Sequence, residues 1–220
     1  MILMVVSPHP DDETLGAGGT ILRYKKNGYK IAWLNFTDKK EEYGYSITEV
    51  DKRTSQINNV IKSYDFDYFY NLKLQPSGLD KYHKKDLIEE VSNIIRQIEP
   101  NRIILPYRYD IHSDHKVVFD VLNSCTKVFR FPFIKCILMM EIPSESDYAN
   151  SDNGFVPNYF IDISDFIEKK IKILNIYDDE IKEHPFPRSE DSVKSLALIR
   201  GCASGCRYAE GFRILKFIED

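Results

Sequence analysis

Apolar positions along the chain alternate between two patterns. MILMVVS (Met1–Ser7), KIAWLNF (Lys30–Phe36) and RIILPY (Arg102–Tyr107) are short, nearly continuous apolar runs, as expected of strands covered on both faces of a sheet. DYFYNL (Asp67–Leu72) is rich in aromatics and predicts another strand. CILMMEI (Cys136–Ile142) and NYFIDIS (Asn158–Ser164) predict two more. Between them, apolar residues recur at helical spacing. Leu87, Val91, Ile94, Ile95 and Ile98 mark one helix face that stops before Pro100. Thr14–Asn27 predicts a helix ended by Gly28. Thr48, with Asp51 three residues on, predicts the cap of a helix whose face carries Val50, Ile57, Val60 and Ile61. His115–Val128, Asp165–Asp178 and Ser192–Cys206 predict three further helices.

This β-α-β-α order predicts an α/β fold, a doubly wound and mostly parallel sheet with helices on both faces. No repeat, low-complexity tract or linker divides the 220 residues, so a single domain over residues 1–220 is expected. Pro143–Asn158 and Glu183–Ser192 read as long loops over one edge of the sheet.

Composition narrows the function classes. At 43% hydrophobic and 29% charged residues the chain is of ordinary globular type. Its longest apolar runs, such as CILMM, fall far short of the ~20 residues that span a bilayer, so no membrane insertion is expected. The start, MILMVV, reads as a strand rather than a secretory signal, and a cytoplasmic location is expected. Net charge is −4, and Lys and Arg are interspersed with Asp and Glu, as in KKDLIEE (Lys84–Glu90). That is a solvated face, not a phosphate-binding stripe, so nucleic acid is not an expected partner. Of four cysteines only Cys202 and Cys206 are close, and no second Cys or His pair completes a zinc knuckle. Reduced, structural cysteines are expected. The sequence admits a homo-oligomer without defining one.

Chemistry concentrates in two short segments. SPHPDDE (Ser7–Glu13) follows the first predicted strand, and YDIHSDH (Tyr109–His115) follows the strand at Arg102–Tyr107. In a doubly wound sheet of order 3-2-1-4 those two strands are neighbours, and ligands gather outside their carboxyl ends. Three of the five histidines, His9, His112 and His115, lie in these segments. A catalytic zinc takes three His or carboxylate ligands and keeps one open position. His9, one of Asp11 or Asp12, and one of His112 or His115 meet that count. A carboxylate and an imidazole then remain, suited to a general base and an oxyanion partner in amide hydrolysis. Asp114, beside His115, is placed to hold one imidazole in the right tautomer. The same His-His-carboxylate set also serves iron(II), so the ligands alone do not name the metal; the surplus base and imidazole favour hydrolysis and therefore zinc.

PHPDDE (Pro8–Glu13), GAGGT (Gly16–Thr20), DIHSDH (Asp110–His115), HPFPRS (His184–Ser189) and RGCASGCRYAEGF (Arg200–Phe212) together resemble the LmbE/PIG-L family of zinc-dependent N-acetylglucosaminyl deacetylases. The resemblance implies a Rossmann-like fold, one Zn2+ per chain (Fe2+ being an alternative), and hydrolysis of an acetamido group on a small-molecule N-acetyl sugar conjugate. It implies His9, Asp12 and His115 as metal ligands, Asp11 as general base and then acid, and His112 as an imidazolium facing the oxyanion, oriented by Asp114. It implies Arg53 as a substrate contact, with Gln56 standing where the family usually has glutamate; Asp110 and Arg188 are further candidate substrate contacts. Arg188 and Arg200 have a structural alternative as ion-pair partners of Glu190 or Glu210. TDKK (Thr37–Lys40) lacks the glycine usual in that turn. LQPSGLD (Leu74–Asp80) departs from the segment in which family members often offer an Asp to sugar hydroxyls. An amidase of another substrate on the same centre, or a non-catalytic metal-binding module, are the rival readings.

Overall fold

The computed structural model describes residues 1–219. One sheet holds all its strands: β1 (Ile2–Ser7), β2 (Lys30–Thr37), β3 (Tyr68–Leu74), β4 (Arg102–Pro106), β5 (Cys136–Met140), β6 (Tyr159–Asp162) and β7 (Ala209–Phe217). Their spatial order is β3-β2-β1-β4-β5-β7-β6. The first five run parallel, and β7 is antiparallel to both its neighbours. β1 lies between β2 and β4, with Val5 opposite Trp33 on one side and Ile104 on the other. The doubly wound expectation, with order 3-2-1-4, is therefore observed.

Helices α1 (Asp12–Lys26), α2 (Ile47–Tyr64), α3 (Lys84–Ile98), α4 (Ser113–Ser124), α5 (Ile167–Leu174) and α6 (Glu190–Ser204) connect the strands. Alternate residues of β1 point to opposite faces and join separate cores. Leu3 and Val5 pack with residues of α1, α2, α5 and α6, while Met4 and Val6 pack with residues of α3 and α4. Both faces are covered, which is why the parallel strands read as unbroken apolar runs. The glycines of GAGGT let α1 lie close to its neighbours. A Cβ on Gly19 would stand 2.7 Å from Ile163 Cβ, too near for any side chain.

Several boundaries differ from the sequence expectation. The cap of α2 is Ser46, not Thr48: Glu49 N donates to the Ser46 hydroxyl, and the Glu49 side chain accepts from Ser46 N, a reciprocal capping box. α4 starts and ends earlier than His115–Val128, and α5 is shorter than Asp165–Asp178. β7 was not expected; it enters antiparallel between β5 and β6. Among the described residues no helix is long and apolar enough to cross a membrane.

Candidate metal centre and cleft

β1 ends at Ser7 and the chain turns through Pro8–Asp11 into α1. The carbonyls of this turn are held from both sides. Pro8 O accepts from Thr37 N and from the Thr37 hydroxyl at 2.8 Å, and Pro10 O accepts from Arg53 Nη1 at 2.8 Å. Asp11 adopts φ 141°, a conformation that strains a residue with a side chain. Glu13, fully buried, grips it from below, since Asp11 N donates to Glu13 Oε2 at 3.1 Å. The other Glu13 oxygen accepts from the Thr14 hydroxyl at 2.7 Å and the Tyr177 hydroxyl at 3.0 Å. Asp11 itself is turned to a cleft, where Arg188 Nη1 donates to its Oδ2 at 2.8 Å. Burial pushes the Asp11 carboxyl up to about 7, against the pull of Arg188 and with the help of the Asp12 charge.

The second segment arrives from β4 and α4. His9 Nδ1 and His115 Nε2 stand 3.4 Å and 3.3 Å from the same oxygen, Asp12 Oδ2. The far nitrogen of each ring meets a carboxylate. His115 Nδ1 is 2.8 Å from Asp110 Oδ2, and His9 Nε2 is 2.9 Å from Asp114 Oδ2. Carboxylates only accept, so those nitrogens carry the protons. Once an ion displaced the second proton, the near nitrogen of each ring would present its lone pair beside Asp12 Oδ2. His115 Nε2 is buried and has no hydrogen-bond partner. Two imidazole lone pairs and one carboxylate oxygen facing a common point, with that nitrogen otherwise orphaned, fit a divalent cation.

Electrostatics agree. Burial works against charge on His9, yet hydrogen bonds to Asp114 and Asp12 raise it to about 9. Burial is likewise outweighed at His115, which the Asp12 charge and the Asp110 hydrogen bond raise to about 10. Asp12 is buried but held well below the usual carboxylate range by the two histidines. A pair of imidazoles that bind protons this firmly beside a carboxylate is a site for a cation, and metal binding would release those protons. A second trio, His9, His112 and Asp114, is also close enough to share an ion. It is the poorer set, because Asp114 already accepts from Ser77 N at 2.7 Å, Leu79 N at 3.1 Å and the His9 ring.

The structure moves several expected residues to other work. Asp114 does not orient His112 through its carboxylate, which is spent on His9 and the loop after β3. Instead its backbone N–H donates to His112 Nδ1 at 3.1 Å, making His112 the cap of α4. His112 Nδ1 is thus an acceptor and Nε2 carries the proton. Burial, with the neighbouring His9 and His115, lowers it to about 4. Those neighbours hold His112 toward its neutral form, in which Nε2–H is the donor. Asp110 lies fully buried beneath His115, with Ser146 donating to its other oxygen at 2.6 Å; it supports the His115 ring rather than touching the cleft.

The arginines also differ from expectation. Arg188 pairs with Asp11 and, at 3.4 Å, with Glu145. Arg200 pairs with Glu141, Nε to Oε2 at 2.9 Å, away from the cleft. Neither meets Glu190 or Glu210, because Glu210 is taken by Lys170 at 2.7 Å and Glu190 by the Asn175 amide. Arg53 reaches the cleft and is held by Pro10 O and Glu180. Gln56 Nε2 donates to Asp178 at 3.0 Å and Asp179 at 2.6 Å, so the segment after α5 supplies acidic groups beside it.

The cleft itself has a volume of about 180 Å³. Beyond the expected residues it is lined by Asp38, Lys39, Tyr45, Ser77 and Glu180. Asp38 lies in the departing TDKK turn, and Ser77 in the departing loop after β3. Sequence reasoning passed over these and over Glu13 and Tyr177. The acidic run YDDE (Tyr177–Glu180) behind a helix was the available signal.

Fold and centre together define a class: a doubly wound α/β protein with a His/carboxylate cluster at the carboxyl ends of β1 and β4. Residues 4–126 match the pattern of the GlcNAc-PI de-N-acetylase family, PIG-L, and the chain belongs to that family. It is 27% identical over 231 residues to a diacetylchitobiose deacetylase of Thermococcus kodakarensis, covering 97% of this chain and 82% of the relative. Among solved structures it resembles a conserved protein of Thermus thermophilus, with TM-score 0.79, 22% identity and coverage of 99% and 96%. It also resembles a 4-carboxy-2-hydroxymuconate hydratase of Pseudomonas putida, with TM-score 0.78, 15% identity and coverage of 100% and 98%. The last two likenesses are of fold, and one fold hosts more than one reaction.

Proposed function

We propose that the chain is a metal-dependent N-deacetylase: it hydrolyses the acetamido group of an N-acetylated amino sugar or its conjugate to acetate and a free amine. Family membership and the diacetylchitobiose deacetylase relative support the reaction class. The single observation that carries it is Asp11. Its carboxylate faces the cleft beside the His9, Asp12 and His115 cluster without belonging to it. A binding module needs no such extra base.

His9 Nδ1, Asp12 Oδ2 and His115 Nε2 would hold the ion, and Zn2+ suits a set of two imidazoles and one carboxylate with an open position. When bound, that ion polarises the acetamido carbonyl and makes water a better nucleophile near neutral pH. Asp11 takes the proton from the attacking water and returns it to the departing amine. Burial raises its carboxyl above the ordinary carboxylate range, the direction that both steps favour. His112 Nε2–H donates to the carbonyl oxygen as negative charge grows there. Asp110 and Asp114 fix the ring orientation of His115 and His9. Arg188 holds Asp11 in place, and Arg53 braces the turn that presents it. Four unpaired cysteines suit a reducing compartment, the cytoplasm.

The test is acetate release by zinc-reconstituted protein from a panel of N-acetylhexosamines and their glycosides. Acetate from these sugars supports the proposal. Inertness toward every acetamido sugar, with release only from other amides, would sink it in favour of an amidase.

A further inference from the structure

Charged groups that the proposed chemistry does not use surround the outer cleft, and their pairing speaks to the carrier on which the acetamido sugar arrives. We infer that this cleft selects uncharged glycosides over conjugates bearing phosphate or carboxylate, with Glu180 and Asp38 as the residues that enforce the choice. The inference rests on the deacetylase reading and adds a substrate class to it.

Three cations line the cleft: Lys39, Arg53 and Arg188. Recognition of an anionic carrier needs guanidinium or ammonium N–H groups free to meet it. Each already pairs with a carboxylate of the protein. Arg188 gives Nε to the Ser144 hydroxyl at 2.8 Å and Nη1 to Asp11 at 2.8 Å, while Nη2 faces Glu145 at 3.4 Å. Arg53 has a side chain only 4% exposed; it gives Nη1 to Pro10 O and Nη2 to Glu180, with Asp179 at 3.5 Å. Lys39 Nζ is 3.1 Å from Asp179.

Glu180 is the centre of this arrangement. It pairs with Arg53 and stands 3.6 Å from Arg188, so it occupies the position between two arginines that an anionic group would need. Carboxylates also outnumber the cations. Asp11, Asp38 and Glu180 line the cleft, and Asp179 and Glu145 stand behind as ion-pair partners. Those five face three cations. Asp12, Asp114 and Asp110 add three more around the metal cluster, against the two charges a divalent ion would bring. An incoming phosphate therefore meets a surplus of like charge in a partly desolvated site, which costs binding.

The groups left to meet a substrate suit a sugar. Asp38 uses one oxygen for Asn71 Nδ2 at 2.7 Å and the other for Lys39 N at 2.8 Å. A carboxylate has about four acceptor sites, so it keeps capacity for hydroxyl donors. Tyr45 and Pro76 add apolar surface on which a sugar ring can lie.

The experiment is a matched pair of substrates for the zinc-loaded full chain: an alkyl β-glycoside of N-acetylglucosamine and N-acetylglucosamine 1-phosphate. The expected kcat/KM is at least about tenfold higher for the alkyl glycoside, a gap that narrows as salt rises. In Glu180→Gln and Asp38→Asn the gap shrinks because the phosphate is handled better. Equal or better turnover of the phosphate by the unmodified chain overturns the inference, as does a gap unchanged in both variants. Alkyl glucoside and glucose 1-phosphate, which carry no amide, read the same preference as calorimetric binding constants. A preference for the alkyl glucoside in a protein that releases no acetate supports the charge selection and counts only against the deacetylase reading. Equal binding of the two overturns the charge selection itself.

Discussion

The Asp11 carboxylate and the Arg188 guanidinium meet at 2.8 Å across 177 positions of sequence, joining the first strand's turn to the loop before α6. Both groups are mostly withdrawn from water, and the pair faces the cleft. The contact fixes where the proposed base points and opposes the burial that favours its protonated form. Asp11→Ala is expected to lower kcat by about 10²- to 10⁴-fold, the usual worth of a positioned base, while metal content stays at that of the parent. Arg188→Ala is expected to lower kcat by a smaller factor, with Arg188→Lys recovering part of it. Acetate release and elemental analysis on the same samples check this. Stoichiometric loss of metal from Asp11→Ala would mean that ligand and base have been assigned the wrong way round.

Metal affinity should depend on a residue that never reaches the cleft. Asp110 holds His115 Nδ1 at 2.8 Å and is itself fixed by Ser146. Asp110→Asn places an amide where the carboxylate accepts, so the imidazole is no longer forced to present Nε2 as the lone pair. A loss of about 10- to 100-fold in zinc affinity is expected, as for other carboxylates behind metal-binding histidines. Competitive chelator titration measures it. A thermal shift gives an independent reading, because free zinc at 100 times its Kd should stabilise the parent by about 2.7 kcal/mol. Unaltered affinity in the variant would place the ion elsewhere, His9, His112 and Asp114 being the alternative set.

Much of this was legible in the chain because the relevant signals are local. Buried parallel strands must be apolar at nearly every position, so β1, β2 and β4 announce themselves, and their order places Pro8–Asp12 beside Asp110–His115. What was not legible depends on long-range pairing. β7 ends in a stretch whose outer residues are partly exposed, and its place between β5 and β6 is set by sheet edges far away in sequence. The partners of Arg188 and Arg200 were misjudged for the same reason: nearby Glu190 and Glu210 were the obvious choices, but Lys170 and two backbone amides of α1 had already claimed Glu210. The imidazolium role of His112 came from the family resemblance, not from its neighbours in the chain. In space the residue packs against two other imidazoles and caps a helix.

Glu13 offers a test of how strongly the site relies on backbone strain. It is the last residue of the PHPDDE segment, is fully buried, and holds Asp11 N while Asp11 sits at φ 141°. Glu13→Ala leaves the Asp11 amide and the Thr14 and Tyr177 hydroxyls without their acceptor. Each orphaned buried group costs roughly 1–3 kcal/mol, so a large fall in Tm is expected. Glu13→Gln keeps the volume and an acceptor, and should fold with a smaller loss. In that variant the grip on Asp11 is weaker, so kcat should fall while KM and zinc content hold. Parent-like kcat in a folded Glu13→Gln protein would show that the turn holds Asp11 without it.

Asp179 should leave a signature in the acid stability of the fold. Burial alone would raise its carboxyl, but hydrogen bonds from Gln56 and Lys39 and the charge of Arg53 lower it from 3.8 to about 2. The unfolded chain therefore takes up this proton at a higher pH than the folded one. The stabilising contribution of Asp179 is complete above about pH 5 and is lost as the pH falls through about 2. Asp179→Asn lacks that contribution at every pH. The Tm difference between parent and variant is accordingly expected to be constant from pH 7 down to about 5, then to shrink and to vanish only below about pH 2. Its size should be modest and should fall with added salt, because the carboxylate is partly exposed. Thermal melts across that range, at low and high salt, make the measurement. A difference that persisted undiminished at the acid end would mean that the carboxylate's charge plays no part in tying Lys39, Arg53 and Gln56 to the cleft wall.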